Sequence, residues 1–257
     1  MYETTKCIPS PLNEKSEIRR RLNLDREWSL YALADLDDGM FEHSAWWGLG
    51  DSVALVFGAL GIRPIFVLGD AGSTRQLLAA LPAAAGYLNL KPHQLEAAKG
   101  IYHYRELHQM QRMFLDDLRQ PAGTAEPLAS RDLEQIEQLY ASGDGGGIAF
   151  APFQLDTGFF YGIRKGAELV SVAGVHVVSR NESVAGVGNI FTRPDYRGRG
   201  LAQIATSTVA MALKDAGIRT IGLNVEDTNI GAIRVYERAG FRAHFSYYEG
   251  MADRIAT

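Results

Sequence analysis

The fold of this chain is decided by the stretch Arg197-Gly198-Arg199-Gly200-Leu201-Ala202. Residues 184–192 before it are typical of a β-strand. Residues 201–216 after it contain no Pro or Gly and predict a helix that closes at Gly217. A glycine-rich turn between a strand and a helix exposes unpaired backbone N–H groups at the helix start, where the helix dipole is positive. Together with the two arginines, these groups predict a binding site for a pyrophosphate.

The spacing of the glycines excludes the two most familiar phosphate-binding loops. A Rossmann fingerprint requires a third glycine that is missing at its spacing, and a Walker A loop requires a Gly-Lys-Ser/Thr that does not follow. The alternative interpretation is a basic surface turn. The strand before the stretch and the helix after it favour a phosphate site of another kind.

A second motif follows about twenty residues further along the chain. Residues 219–226 alternate as a strand whose apolar side chains share one face. Residues 227–229 supply capping groups for a helix over 230–239, and Gly240 ends that helix with an apolar residue directly behind it. The second motif therefore predicts another strand–helix pair.

Asn229 and Tyr236 lie seven positions apart, which places them on one face of this helix. Together, Arg197-x-x-Gly200-x-Ala202 and Asn229-x-x-Ala232-x-x-x-Tyr236-x-x-x-Gly240-Phe241 resemble the motifs of the GNAT superfamily of acyl-CoA N-acyltransferases. The resemblance covers roughly residues 125–250. It implies an α/β (α+β) fold with a mixed central sheet flanked by helices. It also implies acetyl-CoA as the cosubstrate and no metal ion.

The resemblance implies a role for each motif residue. The implied cofactor-binding residues are Ile190, Thr192, Arg197, Gly198, Arg199, Gly200, Leu201, Ala202 and Asn229. The 197–202 loop would bind the pyrophosphate through main-chain amides. Ile190 and Thr192 would offer main-chain groups to the pantetheine arm in a gap between two splayed parallel strands, and Asn229 would contact the same arm. Tyr236 would protonate the departing CoA thiolate, a role that suits a phenol with an ordinary pKa near 10.

The proton of the attacking amine needs a separate carrier. Glu226 ends a strand beside the gap, on the same face as Asn224, and its alternative role is that of a solvated carboxylate. His176 lies on an apolar strand, where a histidine is more often a core residue than a base. Ordered water is the third route, and the sequence does not choose among the three.

Composition and charge set the class of protein. The chain has 257 residues, of which 46% are hydrophobic, and a formal net charge of −4, so a nucleic-acid partner is not expected. The basic triplet Arg19-Arg20-Arg21 lies in a mixed-charge helix start and indicates a solvated face. The single cysteine, Cys7, excludes an intrachain disulfide and fits a cytoplasmic location. No apolar run reaches membrane-spanning length, and residues 1–11 lack the apolar core of a signal peptide.

A connector that contains Pro and Gly at residues 120–127 predicts two domains, 1–120 and 125–257, of which the second is the catalytic GNAT N-acetyltransferase domain. The first domain has an element order close to that of a degenerate copy of the second. Its residues 68–74 take the place of the cofactor loop, but they lack the arginine–glycine signature and carry Asp70 where a phosphate would sit. We therefore expect a degenerate GNAT-like domain without CoA binding, as in tandem members or two-domain members of the glycine N-acyltransferase type.

One segment of the first half leaves two interpretations open. For residues 102–115, position in the element order favours a strand and composition favours a helix.

The resemblance implies an N-acetyltransferase that moves an acetyl group to a primary amine of a small molecule by direct attack. A protein or peptide N-acetyltransferase is one alternative, and it requires an open groove. A non-catalytic acyl-CoA sensor is another, which the intact Tyr236 disfavours. No membrane partner is expected, and a homodimer is left open. The identity of the amine cannot be derived from the sequence, because family members share a cofactor site and differ in their acceptor loops.

Overall fold

The computed structural model describes residues 8–143, 147 and 149–256, so that Cys7 lies outside the described residues. The chain forms two compact units: Met1–Met110 together with Ser246–Thr257, and Gln111–Phe245. The division lies before the expected connector at residues 120–127, and the C-terminal end of the chain belongs to the first unit. None of the helices in the described residues has the length and apolar character needed to cross a membrane.

The first unit contains short strands and helices in alternation. Its strands are β1 (Ser10–Pro11), β2 (Ser44–Leu49), β3 (Ser52–Phe57), β4 (Pro64–Leu68), β5 (Ala85–Leu90) and β6 (Tyr102–Tyr104). Its helices are α1 (Lys15–Leu22), α2 (Leu30–Ala34), α3 (Asp38–Phe41), α4 (Ala71–Ala80) and α5 (Pro92–Lys99). The strand order is β1-β2-β3-β4-β5, with β4 and β5 parallel and the other neighbours antiparallel. A mixed sheet of this kind requires a crossover between its parallel strands, and α4 provides it.

The second unit is built on a larger mixed sheet. The remaining strands are β7 (His108–Leu115), β8 (Glu126–Leu128), β9 (Phe160–Lys165), β10 (Glu168–Ser179), β11 (Val184–Thr192), β12 (Thr220–Glu226) and β13 (Phe241–Arg254). The remaining helices are α6 (Leu133–Ala141), α7 (Leu201–Asp215) and α8 (Ile230–Ala239). The strand order is β13-β7-β12-β11-β10-β9-β8, where β7 belongs to this unit from Gln111 onward and β13 only up to Phe245. The strands predicted over 184–192 and 219–226 and the helices predicted over 201–216 and 230–239 are confirmed.

The pairing of β7 explains where the chain divides into its two units. This strand lies between β12 and β13, so residues 111–115 already belong to the sheet of the second unit. The two interpretations of residues 102–115 are thereby decided in favour of strands, because pairing in a sheet outweighs the helical composition of the segment. A Pro/Gly connector marks a break in local structure, but it does not show which neighbours a strand will pair with.

Helix α7 is held by its apolar face. Ala205, Val209 and Leu213 recur at helical spacing and are completely buried, and the helix contacts β10 and β11. At the other end of the motif, Gly240 ends α8 with φ +101°, and a Cβ there would lie 1.9 Å from the backbone oxygen of Asp117. Only glycine fits this position, which explains why the second motif closes on it.

Candidate active site

Strands β11 and β12 part in the middle of the sheet. Their parallel pairing runs from Val184 opposite Thr220 to Val187 opposite Leu223, and no later pair joins them in the described residues. The remaining residues of β11, up to Thr192, therefore turn one backbone edge toward a gap. This end of the pairing fits the splayed parallel strands that the resemblance implies.

A β-bulge lies where the strands part. Against β10, Gly188 faces Gly174 and Phe191 faces Val172, so two residues of β11 oppose one residue of β10. The extra residue falls at Asn189–Ile190, and Asn189 has a left-handed φ of +54°. A bulge redirects the local backbone, here at the mouth of the gap.

The loop before α7 leaves the helix start open. Gly198 and Gly200 have φ values of +76° and +78°, a region that suits glycine, and a Cβ at either would meet no heavy atom within 4 Å. Gly200 occupies the N-cap position, and no side chain of the described residues caps α7. The first N–H groups of the helix and the space in front of them are thus available to an anion.

The arginines of the loop are held in different ways. The Arg197 Nε donates a hydrogen bond to the Thr192 carbonyl at 3.1 Å, and the guanidinium lies 5.6 Å from the centre of the Phe191 ring. Arg199 instead donates to the Asp195 carbonyl and lies 4.9 Å from the centre of the Tyr196 ring. Arg197 is therefore held against the end of β11, whereas Arg199 braces the turn before the loop.

A cavity of about 680 Å³ extends from this loop to α8. Every cofactor-binding residue implied by the motifs lines it except Arg199. Sequence reasoning missed other lining residues, among them the polar side chains of Gln203, Arg234 and Arg238. Arg234 and Arg238 lie four positions apart on one face of α8, a spacing that is visible in the sequence. With Arg197 they give the cavity a positive charge that suits phosphate groups.

A second cavity of about 200 Å³ adjoins the bulge. It is lined by Tyr140, Gly147, Ala149, His176, Val187, Gly188, Asn189, Ile190, Asn224 and Tyr236. Ile190 and Tyr236 line both cavities. These two residues therefore mark the junction at which a ligand in one cavity can meet a ligand in the other.

Tyr236 is 8% exposed, and burial raises the pKa of its phenol to about 12. The phenol is therefore protonated at neutral pH, as a proton donor must be before it acts. Asn229 begins the same helix, where its side-chain oxygen accepts the Ala232 N–H at 3.1 Å. That cap fixes the start of α8 and, two turns on, the position of Tyr236.

The two residues considered as bases lie in different surroundings. Glu226 is exposed at the end of β12 and lines neither cavity. His176 lines the second cavity, its Nε2 accepts the Asn189 N–H at 3.3 Å, and burial lowers its pKa to about 4. The structure thus places His176 and Tyr236 in the wall of the same cavity but leaves Glu226 outside both cavities. In the described part of the chain, no group of three or more His, Cys, Asp or Glu side chains could hold a metal ion.

These features suit an extended, phosphate-bearing ligand between two parted strands. The sequence profile of the acetyltransferase (GNAT) family matches residues 107–241, and the chain belongs to that family. Its mixed sheet flanked by helices is the GNAT fold.

The chain is 26% identical over 204 residues to a mycothiol acetyltransferase of Mycobacteroides abscessus. The match covers 72% of this chain and 66% of that protein, slightly less than two thirds of its length.

Two solved structures share the fold. One is a GCN5-related N-acetyltransferase from Kribbella flavida, with a TM-score of 0.62, 18% identity, and coverage of 89% of this chain and 94% of that one. The other is a tandem GNAT protein from the clavulanic acid biosynthesis pathway, with a TM-score of 0.58, 14% identity, and coverage of 97% and 98%.

Proposed function

We propose that the chain is an N-acetyltransferase that moves the acetyl group of acetyl-CoA to a primary amine of a small molecule. The observation that carries the proposal is the position of Tyr236 and Ile190, which line both the large basic cavity and the small second cavity. A thioester that enters from one side and an amine that enters from the other meet at this junction. The similarity to a mycothiol acetyltransferase supports a small-molecule acceptor.

The large cavity suits CoA in three respects. The open start of α7 offers backbone N–H groups to a pyrophosphate, and glycine at 198 and 200 keeps the approach clear. Arg197, Arg234 and Arg238 offer positive charge along the same cavity. The unpaired edge of β11 offers backbone groups to an extended arm that leads to Tyr236.

The transfer we propose is a direct attack. The amine nitrogen forms a bond to the thioester carbonyl carbon, the carbon–sulfur bond breaks, and the Tyr236 phenol gives its proton to the departing sulfur. The amine loses its own proton to water, because the Nε2 atom of His176 already accepts an N–H and Glu226 lines neither cavity. No covalent acetyl-enzyme is proposed, since no nucleophile motif stands near the cofactor residues in the sequence.

We expect Tyr236→Phe to lower kcat by roughly 10²–10⁴-fold while acetyl-CoA affinity changes little, because only the proton donor is removed. The measurement is thiol release from acetyl-CoA with glycinamide, glucosamine and putrescine as amines, beside calorimetric titration of acetyl-CoA. Tyr161→Phe is the matched control, since Tyr161 lies on β9 and lines neither cavity. Wild-type kcat in the Tyr236 variant, or the parallel initial-rate lines of a covalent intermediate, would refute the mechanism.

A further inference from the structure

Asn189 adopts an unusual backbone conformation inside the sheet. It lies within β11, is 8% exposed, and has a φ of +54°, which non-glycine residues adopt rarely. Such a conformation persists only where the surrounding structure holds it, and it is found preferentially at functional sites. The contacts of Asn189 show what holds it.

Both backbone polar groups of Asn189 and its side-chain amide are engaged by neighbours. The Tyr140 hydroxyl donates to its carbonyl at 2.9 Å, and its own N–H donates to the His176 Nε2 at 3.3 Å. Its side-chain Nδ2 donates to the Gln154 Oε1 at 2.9 Å and to the Val175 carbonyl at 3.1 Å. Three side chains from three different elements thus converge on one residue.

Gln154 connects these partners to one another. Its Nε2 donates to the carbonyl of His176 at 3.0 Å and to that of Ala149 at 3.2 Å. The His176 ring lies against Gly188, where a Cβ would be only 2.3 Å from the ring. Because Nε2 of His176 accepts a hydrogen bond, the ring proton is on Nδ1 and the ring is neutral. The lowered pKa of His176 is consistent with this state.

The conformation of Asn189 sets the backbone direction of the next residue along the chain, Ile190. Ile190 follows Asn189 in the bulge, just beyond the last pair of β11 with β12, and lines both cavities beside Tyr236. The backbone at Ile190 therefore takes its direction from the conformation of Asn189. The acetyl carbonyl would lie at this junction if the proposed function is correct.

We propose that Tyr140, Gln154 and His176 are positioning residues for acetyl transfer, which clamp Asn189 in its left-handed conformation and so fix the Ile190 backbone where the thioester carbonyl lies. The inference rests on the proposed function. In this arrangement His176 serves as a hydrogen-bond acceptor for the backbone and not as the base for the amine. A matched set of variants separates these two roles.

The first test compares His176→Gln with His176→Leu. A glutamine oxygen can accept the Asn189 N–H but is no base at neutral pH, so His176→Gln should keep kcat within about threefold of wild type. His176→Leu cannot accept the N–H and should lose at least tenfold in kcat. Thiol release with the amine that wild type uses best measures both. A glutamine variant as inactive as the leucine variant, or a leucine variant as active as wild type, would contradict the clamp.

The second test uses binding and needs no acceptor. If the held backbone contacts the acetyl carbonyl, wild type should bind acetyl-CoA more tightly than CoA. Tyr140→Phe and Asn189→Ala should lose that preference while CoA affinity stays within twofold. Asn189→Gly should keep more of the preference than Asn189→Ala, because glycine adopts the left-handed conformation without the clamp. Calorimetric titration of both ligands, at a temperature where each variant is fully folded, provides the comparison.

The two tests also separate the clamp from the function on which it rests. If wild type binds acetyl-CoA but acetylates none of the three amines, the proposed small-amine function fails, and the affinity ratio still decides the clamp. If wild type has no preference for acetyl-CoA over CoA, or if Tyr140→Phe and Asn189→Ala leave the preference intact, the clamp is refuted.

Discussion

Each unit of this protein contains a strand, a loop and a helix in succession, but the two helix N-termini differ in their capping. In the first unit the Asp70 carboxylate accepts the Ser73 N–H at 2.7 Å and caps α4. This hydrogen bond holds the pKa of the Asp70 carboxyl below its usual value, so the carboxyl is ionised at neutral pH. In the second unit Gly200 stands at the same point and brings no capping side chain to α7. A side chain of the protein thus caps α4, whereas the N-terminal N–H groups of α7 remain available to an external anion.

The first loop is also closed by its neighbours. The Gln94 side-chain Nε2 donates to the carbonyls of Val67 and Gly69 and to the Thr74 hydroxyl. The Asp70 carboxylate at the start of α4 would repel a phosphate. Through Gln94, the loop is also hydrogen-bonded to α5. We therefore infer that the first unit is a degenerate GNAT-like domain that binds no CoA. We infer from this comparison that a strand, loop and helix of this kind can accept a phosphate only where no side chain caps the helix start.

The largest effect should come from closing the open helix start. Gly200→Val places a β-branched side chain at φ +78° and in the space before α7, and it should weaken acetyl-CoA binding at least 100-fold, about 2.7 kcal/mol. Gly217→Val is the matched control: Gly217 has φ +82°, lies just past the other end of α7, and is outside both cavities. Both variants should lose similar stability, but only Gly200→Val should lose binding in a calorimetric titration. If the two variants bind acetyl-CoA with equal affinity, the 197–202 loop does not bind the phosphate groups of the cofactor.

A smaller effect should distinguish the arginines of α8. Dephospho-CoA lacks the 3′-phosphate of CoA, so a charge that contacts this phosphate discriminates between the two ligands. Arg234→Ala and Arg238→Ala should together weaken CoA binding about tenfold, or about 1.4 kcal/mol, and leave dephospho-CoA affinity nearly unchanged. Arg242→Ala serves as the control, because Arg242 pairs with Asp116 and lines neither cavity. An equal loss for both ligands would place the arginines elsewhere along the cofactor.

The smallest effect should come from uncapping the first unit. Asp70→Ala removes a helix cap and should lower the free energy of unfolding by about 1 kcal/mol, as measured by urea denaturation. Acetyl-CoA should still bind with one site per chain, because the Gln94 contacts that close the loop remain. Asp70→Asn retains a capping oxygen and should recover most of the stability. Two acetyl-CoA sites in wild type would show that the first unit is not degenerate.

The predictable part of the site lies in local sequence. Gly198, Gly200 and Gly240 are needed for positive φ values within single turns, and the helical spacing of Asn229 and Tyr236 puts both on one face of α8. Nearest neighbours along the chain set these features, so a motif contains them completely. No local pattern determines whether the chain is of the glycine N-acyltransferase type, so this assignment stays a prediction.

The clamp could not be derived in this way. Tyr140, Gln154 and His176 come from a helix, a turn and a strand, and each is ordinary in its own segment. His176 seemed a core residue or a base because an apolar strand allows both. Its contact with the Asn189 N–H depends on a bulge in the neighbouring strand. Similarly, Arg199 shares a motif with Arg197, but only the folded turn directs it to Tyr196.

The amino-acid sequence by itself determined the glycine-rich turn at 197–202, the two motif helices and the family, because glycine conformation and helical periodicity act over a few residues. Only the tertiary structure decided that residues 108–115 form a strand between β12 and β13, that the units divide before residue 111, and that Glu226 stays outside the cavities. It alone brought Tyr140, Gln154 and His176 to Asn189. The physical reason is that strand pairing and side-chain convergence join segments far apart in the chain, and no local propensity specifies those partners.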